Sequence, residues 1–258
     1  MRCQKYLSYL GALSLALSAE LVPFSQVTPP LRAQPLEVSL SFPPVENRGT
    51  LSRTAGGGTR RRGATASCVT GNTPLTALAP SNNVGTTVSG NPTLFWYVPE
   101  TTAQSAEFLV FDAHDAQGKN VYLTTLALNG TPGVVNLNLP KTVSLEPGKE
   151  YTWHLALVCN PLNRKQDMLV RGQLKRTELS SEQKTQLAAA TEPLKQAEVY
   201  ARAKVWQETL MILAQLYRDR PNDSHISEAW KELLQSVQLE AIATKPLVEC
   251  CKAENPLQ

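Results

Sequence analysis

The chain has 258 residues, 18% charged and 42% hydrophobic, with a formal net charge of +3. That length is enough for a full core and about two compact units. So small a positive charge, with no aromatic-interleaved basic groove, excludes a nucleic-acid partner at the level of composition.

The N-terminal stretch predicts the compartment. Arg2 and Lys5 form a basic n-region, Tyr6 to Leu17 an apolar h-region, and small residues follow. This is the pattern of a secretory signal peptide over residues 1–33, cleaved after Ala19 or after Ala33. The apolar run is shorter than the roughly 20 residues of a membrane-spanning helix, so export with cleavage is preferred to an anchor. No later segment reads as a transmembrane helix. The protein is therefore expected in the periplasm or outside the cell.

Residues 34–66 are rich in Pro, Gly, Arg, Ser and Thr and read mostly as a flexible linker. Its one periodic piece runs from Leu36 to Phe42. Gly56 to Gly63 has the glycines of a phosphate loop but lacks the Lys-Ser/Thr ending and a preceding strand. It reads as a solvated basic segment, with a tether to an anionic surface as the functional alternative.

Residues 67–177 predict a β domain. Leu75 to Leu78 is a short strand, and Asn91 to Pro99 an aromatic strand stopped by proline. Ala106 to Asp112 and Val121 to Leu128 flank a polar turn around Gly118. Gly133 to Leu139 follows the Asn129-Gly130 turn. Then comes the strand from Tyr151 to Cys159. It alternates Tyr151, Trp153, Leu155, Leu157 and Cys159 on one face against Thr152, His154, Ala156 and Val158 on the other. Met168 to Arg176 closes the set. Seven strands at this spacing predict a β-sandwich of immunoglobulin or fibronectin type III type. Leu145, Pro147, Gly148 and Tyr151 have the spacing of a tyrosine corner in such sandwiches.

Residues 178–251 predict a helical subdomain, with 252–258 as a tail. Ser180 and Gln183 form a capping box at the first helix. Glu192 to Ala203 is a second helix with Pro193 in its first turn. Trp206, Leu210, Leu213, Ala214 and Tyr217 make one stripe of a third, which ends before Pro221. Ser227 to Val237 is a fourth. The hairpin from Ala197 to Leu210 resembles a single tetratricopeptide repeat, except that Lys204 stands where glycine is usual and Thr209 where alanine is usual. One copy cannot build a solenoid. The whole is an α+β, mainly β, protein.

Four cysteines follow the signal: Cys68, Cys159, Cys250 and Cys251. In an oxidising compartment they suggest two disulfides. A vicinal Cys250–Cys251 bond needs a strained ring, so the expected pairing sends one tail cysteine to Cys68 and the other to Cys159. A metal site competes less well, because no CxxC or CxxH spacing exists.

Chemistry-bearing motifs are scarce. His114 lies between Asp112 and Asp115 beside Gly118, which reads as a hairpin tip rather than a ligand cluster. His154 falls on the outer face of its strand, and His225 in a helix-entry loop. No nucleophile-and-base pattern or metalloprotease motif occurs. No catalytic residue, metal or cofactor is expected, and the chain reads as a non-enzyme. Trp96, Tyr97, Trp206 and Trp230 are the candidate binding aromatics, with sandwich core as their alternative role.

Taken together, Gly57 to Arg60, Cys68, Leu75 to Leu78 with Pro80, and Thr93 to Pro99 resemble the cyanobacterial domain of unknown function 928 family. The resemblance continues through Glu107-Phe108, Thr131 to Val134 and Leu145 to Asn160. It ends with Tyr200-Ala201, Trp206, Leu210, Leu213, Trp230, Leu233-Leu234, Pro246-Leu247 and Cys250-Cys251. It implies an exported protein and supplies no catalytic residues.

Three functions remain. The first is an envelope module that binds another protein, which predicts an exposed apolar patch of roughly several hundred Å². The second is a module for glycan or cell-wall polymer, which predicts exposed Trp or Tyr faces. The third is an envelope hydrolase, which needs a cleft holding His114 or His154 beside a carboxylate or hydroxyl.

Overall fold

The computed structural model describes residues 40–45, 54, 68–115, 120–129, 132–250 and 253–254. The expected signal segment, Gly56 to Gly63, Gly118 and Cys251 lie outside them. The described residues fall in one compact unit, Val38–Gln258.

Strands come first and helices second. A three-stranded antiparallel sheet has the order β1 (Thr76–Ala77), β3 (Thr93–Val98), β6 (Gly133–Asn138). A six-stranded sheet holds β2 (Val84–Thr87), β8 (Met168–Arg176), β7 (Glu150–Leu157), β4 (Ser105–Asp112), β5 (Asn120–Ala127) and β9 (Ala253–Glu254), in that order. Only β2 runs parallel to its neighbour, pairing Val84 to Thr87 with Gln173 to Arg176 of β8. The long strands form where bulky apolar residues alternate with polar ones: β7 buries Tyr151, Trp153, Leu155 and Leu157 and leaves the residues between them half-buried.

β3 departs from that alternation. All of its residues after Thr93 are buried, because both faces of the small sheet are covered. Leu94, Trp96 and Val98 join a first core with Phe108, Trp153 and Leu174 of the large sheet. Phe95 and Tyr97 join a second core with the helices. The polypeptide is thus layered as large sheet, small sheet, helices. The helices are not a separate appendix beyond residue 177, since their core includes residues of β3 and β6.

The helices are α1 (Ser181–Ala189), α2 (Pro193–Arg202), α3 (Trp206–Asp219), α4 (Ser224–Ser236) and a short α5 (Glu240–Ala243). Ser180 and Gln183 cap α1 reciprocally, and Asp223 caps α4. Trp206, Leu210, Leu213 and Ala214 are wholly buried. Truncating any such leucine to alanine costs about 2–5 kcal/mol. Tyr217, the last of that stripe, is half-buried and stacks on Trp230 at 5.6 Å between centroids.

The expected linker is ordered at one point. Leu40 and Phe42 are core residues, at 1% and 3% exposure. Leu40 N–H donates to Glu232 (3.0 Å) and Phe42 N–H to Ser236 (2.9 Å), and the Phe42 ring meets Trp206 edge-on at 5.0 Å. Residues 40–45, at the end of that short alternation, are therefore a strap held by the helices. Proline-rich flanks hid it as linker.

Two glycines have clear physical reasons. Gly172 pairs with Trp153 across β7 and β8. A Cβ there would lie 2.8 Å from Trp153 Cε2 and from Asn83 Oδ1, so the indole lies against the bare glycine. Gly148 has φ +80°, a conformation that glycine adopts freely and other residues do not.

Candidate functional site

Leu145 is fully buried. The Tyr151 hydroxyl accepts the Glu146 N–H at 2.8 Å, which closes the Leu145–Gly148 turn onto the start of β7.

The expected cysteine pairing is corrected. Cys68 bonds to Cys159, with Cα atoms 5.3 Å apart and a sequence separation of 91. Cys68 precedes the small sheet and Cys159 follows β7, so the bond ties segments already adjacent in the fold. Tail cysteines do not reach either one. Cys250 packs on the edge of the same core and is itself disulfide-bonded; with Cys68 and Cys159 joined to each other, its partner lies outside the described residues. The long-range pairing failed as an expectation because sequence spacing carries no information about which loops meet in space.

The four candidate binding aromatics are interior. Trp96, Tyr97, Trp206 and Trp230 are at most 5% exposed. Trp96 sits edge-on to Phe108 and Trp153. Trp206 donates its indole N–H to Leu78 O at 2.8 Å. None of these rings presents a face to a ligand, so the stacking platform expected for a glycan is not built from them. Their size and spacing looked the same as those of a binding set; only the third layer decided that they are core.

The histidines occupy ordinary positions. His114 is exposed, and its N–H donates to the Asp112 carboxylate at 2.9 Å. That bond is the main reason the Asp112 carboxyl is held below the usual carboxylate range. The Asp112–His114 pattern is thus the Asx turn that the hairpin reading requires. His225 is exposed at the start of α4, where its N–H donates to Asp223 at 3.0 Å. Among the described residues, no cluster of His, Cys, Asp or Glu is arranged to hold a metal ion.

His154 differs. It lies on the outer face of β7, edge-on to Phe111 at 5.2 Å. Desolvation, then the nearby Arg171, lowers its pKa, which favours the neutral imidazole. Strand register places Leu123, Leu109, His154 and Arg171 in one row across β5, β4, β7 and β8. The next row brings Glu107, Ala156 and Leu169 together. Leu109, Phe111 and Leu123 are half-buried, while Leu169 is 43% exposed and Leu162 beyond it 97%. Arg164 rims this face by a two-pronged bond to Glu107, at 2.9 and 2.8 Å, and also pairs with Asp167. The helices pack on the small sheet and on the edge strand β2. The outer face is therefore an apolar centre with a charged rim, the composition of a protein contact surface.

Sequence reasoning missed a buried carboxylate. Glu208, in the first turn of α3, is 8% exposed. Its Oε1 accepts from the Thr87 hydroxyl (2.6 Å) and from the Val88 and Ser89 N–H groups (both 3.1 Å). These bonds anchor the end of β2 to α3. Burial pushes its pKa up, against the bonds that favour the charged form.

The described residues define an α+β protein of two sheets and a helical layer, with no helix long and apolar enough to cross a membrane. The family described as Domain of Unknown Function (DUF928) has a model that matches residues 55–247. That match spans most of the chain, which belongs to this family. No curated protein matches it.

Proposed function

We propose that this chain is an exported, non-catalytic module that binds another protein through the outer face of its six-stranded sheet. The observation that carries this reading is the patch of Leu123, Leu109 and His154 with the exposed Leu169 in the adjoining row, rimmed by Arg171 and the Arg164–Glu107 pair. A partner that offers apolar side chains at its centre and a carboxylate toward Arg171 is the complement. The Cys68–Cys159 bond and the N-terminal apolar segment support export to a periplasmic or extracellular site. On this reading the two sheets form an immunoglobulin or fibronectin type III-like sandwich, supported by the core they share and by the Tyr151–Glu146 bond. The α2–α3 hairpin is then a single tetratricopeptide-like unit.

The test is site-specific photocrosslinking in the cells that express the full chain, from position 169 and, as control, from position 186 on α1. One protein captured from position 169 alone, and lost on Leu109→Asp, supports the proposal. Equal capture from both positions, or capture insensitive to Leu109→Asp in a folded variant, overturns it. Recovery of wall polysaccharide without a recurrent protein moves the reading to polymer binding.

A further inference from the structure

A cavity of about 210 Å³ opens between the strap, β2 and the α2–α3 turn. Phe42, Val45 and Val84 supply its apolar lining. Asn82, Thr86, Lys175 and Lys204 supply its polar lining. The volume is below that of a typical drug-sized pocket of about 300–1,000 Å³. It suits an occupant the size of one amino-acid side chain or a short acid.

Three features give the cavity its sign. Lys175 brings one ammonium, shared with Glu150 at 3.2 Å in a partly exposed pair. Lys204 brings a second and forms no ion pair among the described residues. The cavity also lies at the N-terminal end of the fourteen-residue helix α3, whose N-cap Val205 offers no side-chain oxygen and whose first N–H, on Trp206, is bonded to Thr86 Oγ1 at 3.0 Å. That end of a helix favours negative charge. Glu208, the nearby acid of α3, is turned toward Thr87, Val88 and Ser89.

Lys204 is also in an unusual backbone state. Its φ is +58°, a conformation suited to glycine, and in the hairpin pattern glycine is the usual residue there. A lysine at this turn therefore adds nothing to the turn that glycine would not do better. What it adds is an ammonium in the lining of a cavity that also carries Phe42, Val45 and Val84.

We propose that this cavity binds a small organic anion: a carboxylate held between Lys175 and Lys204, with a short apolar chain against Phe42, Val45 and Val84. Such a group exists as a free short-chain acid and as the apolar C-terminal residue of a peptide.

The experiment is an amide-shift titration of the disulfide-intact chain with hexanoate, N-acetylleucine, hexanamide and acetate. Hexanoate or N-acetylleucine should give saturable shifts at Val84, Thr86 and Lys204, with a Kd on the order of 0.1–1 mM. Tighter binding of N-acetylleucine assigns the source to a peptide terminus, and tighter hexanoate to a free acid. Hexanamide, neutral with the same chain, and acetate, charged without a chain, should each bind at least about ten-fold more weakly. Lys204→Gly should keep or raise thermal stability yet weaken binding about ten-fold, which a merely structural lysine would not do. Lys175→Gln should weaken it too, as a second variant at a regular strand position. Equal binding of hexanamide, unchanged affinity in Lys204→Gly, or no saturable shift with either acid up to about 10 mM overturns the proposal.

Discussion

Opening the Cys68–Cys159 bond is the sharpest test of how this fold is held. The bond closes a loop of 91 residues. Chain-entropy reasoning assigns such a closure about 4.5 kcal/mol at 25 °C, nearly all of it through the unfolded chain. The native segment does not depend on the bond for its place. Cys68 O accepts from Thr102 N–H and from the Thr101 hydroxyl, both at 2.8 Å, and Val69 bridges to Thr101. The double variant Cys68→Ala/Cys159→Ala should therefore keep native far-ultraviolet and near-ultraviolet dichroism. It should lose about 3–5 kcal/mol in urea unfolding, with a steeper dependence on denaturant as the released chain exposes more surface. Against a typical domain stability of about 5–15 kcal/mol, that loss is large. Reduction of the parent protein is the poorer assay, because a reductant also opens the bond at Cys250. A loss below about 1 kcal/mol with an unchanged slope would refute the entropic reasoning. Loss of native dichroism would refute the claim that local hydrogen bonds hold the segment.

Further expectations follow from single side chains. Gly172→Ala places a methyl group against the Trp153 indole. It should cost about 1–3 kcal/mol and shift the tryptophan fluorescence, since a packed interior yields little to an added carbon; an unchanged spectrum and midpoint would contradict the close packing. Tyr151→Phe removes the acceptor of the Glu146 N–H and should cost about 0.5–1.5 kcal/mol in chemical denaturation. For Glu208 the folded pKa is raised above the ordinary value of 4.5. Its contribution is then greatest below the unfolded pKa and is lost as pH rises through the folded one. Glu208→Gln keeps an oxygen for Thr87, Val88 and Ser89 and removes the buried charge. The stability difference, variant minus parent, should therefore grow in the variant's favour as pH rises from about 4.5. A flat difference curve would show that the carboxylate is not taxed by burial. His154 titrates in the opposite sense: its lowered pKa means stability that is full above pH ~6.5 and lost as pH falls through the lower folded value, a slope that His154→Gln should remove.

Much of the β part was legible. Seven of the strands were legible: the longer half-buried ones from period-two alternation and their turn residues, because a half-buried strand writes its burial into adjacent residues, and β3 from its aromatic run stopped by Pro99. The capped start of α1, Pro193 at the first position of α2 and the Trp206–Tyr217 stripe were legible for the same local reason. β2 was not. Val84, Gly85, Thr86 and Thr87 contain one large apolar side chain, and the strand exists because β8 pairs with it and Glu208 and Trp206 bond to its threonine hydroxyls. α5 was too short for a periodic signal, and β9 rests on two residues paired with β5.

The candidate sites divide in the same way. Near-neighbour chemistry, such as the Asp112–His114 turn or the 145–151 corner spacing, is set by residues a few positions apart and can be read from the chain. Three things were decided only by the tertiary structure. The small sheet is covered on both faces, which turned Trp96, Tyr97, Trp206 and Trp230 from candidate binding residues into core. Cys68 meets Cys159 rather than the tail. Glu208, Thr86, Lys175 and Lys204 converge around β2 from segments as much as 122 residues apart. Alternation and capping are short-range and repeat along the chain. Which faces meet is set by burying apolar area across distant segments, and no local pattern encodes that choice.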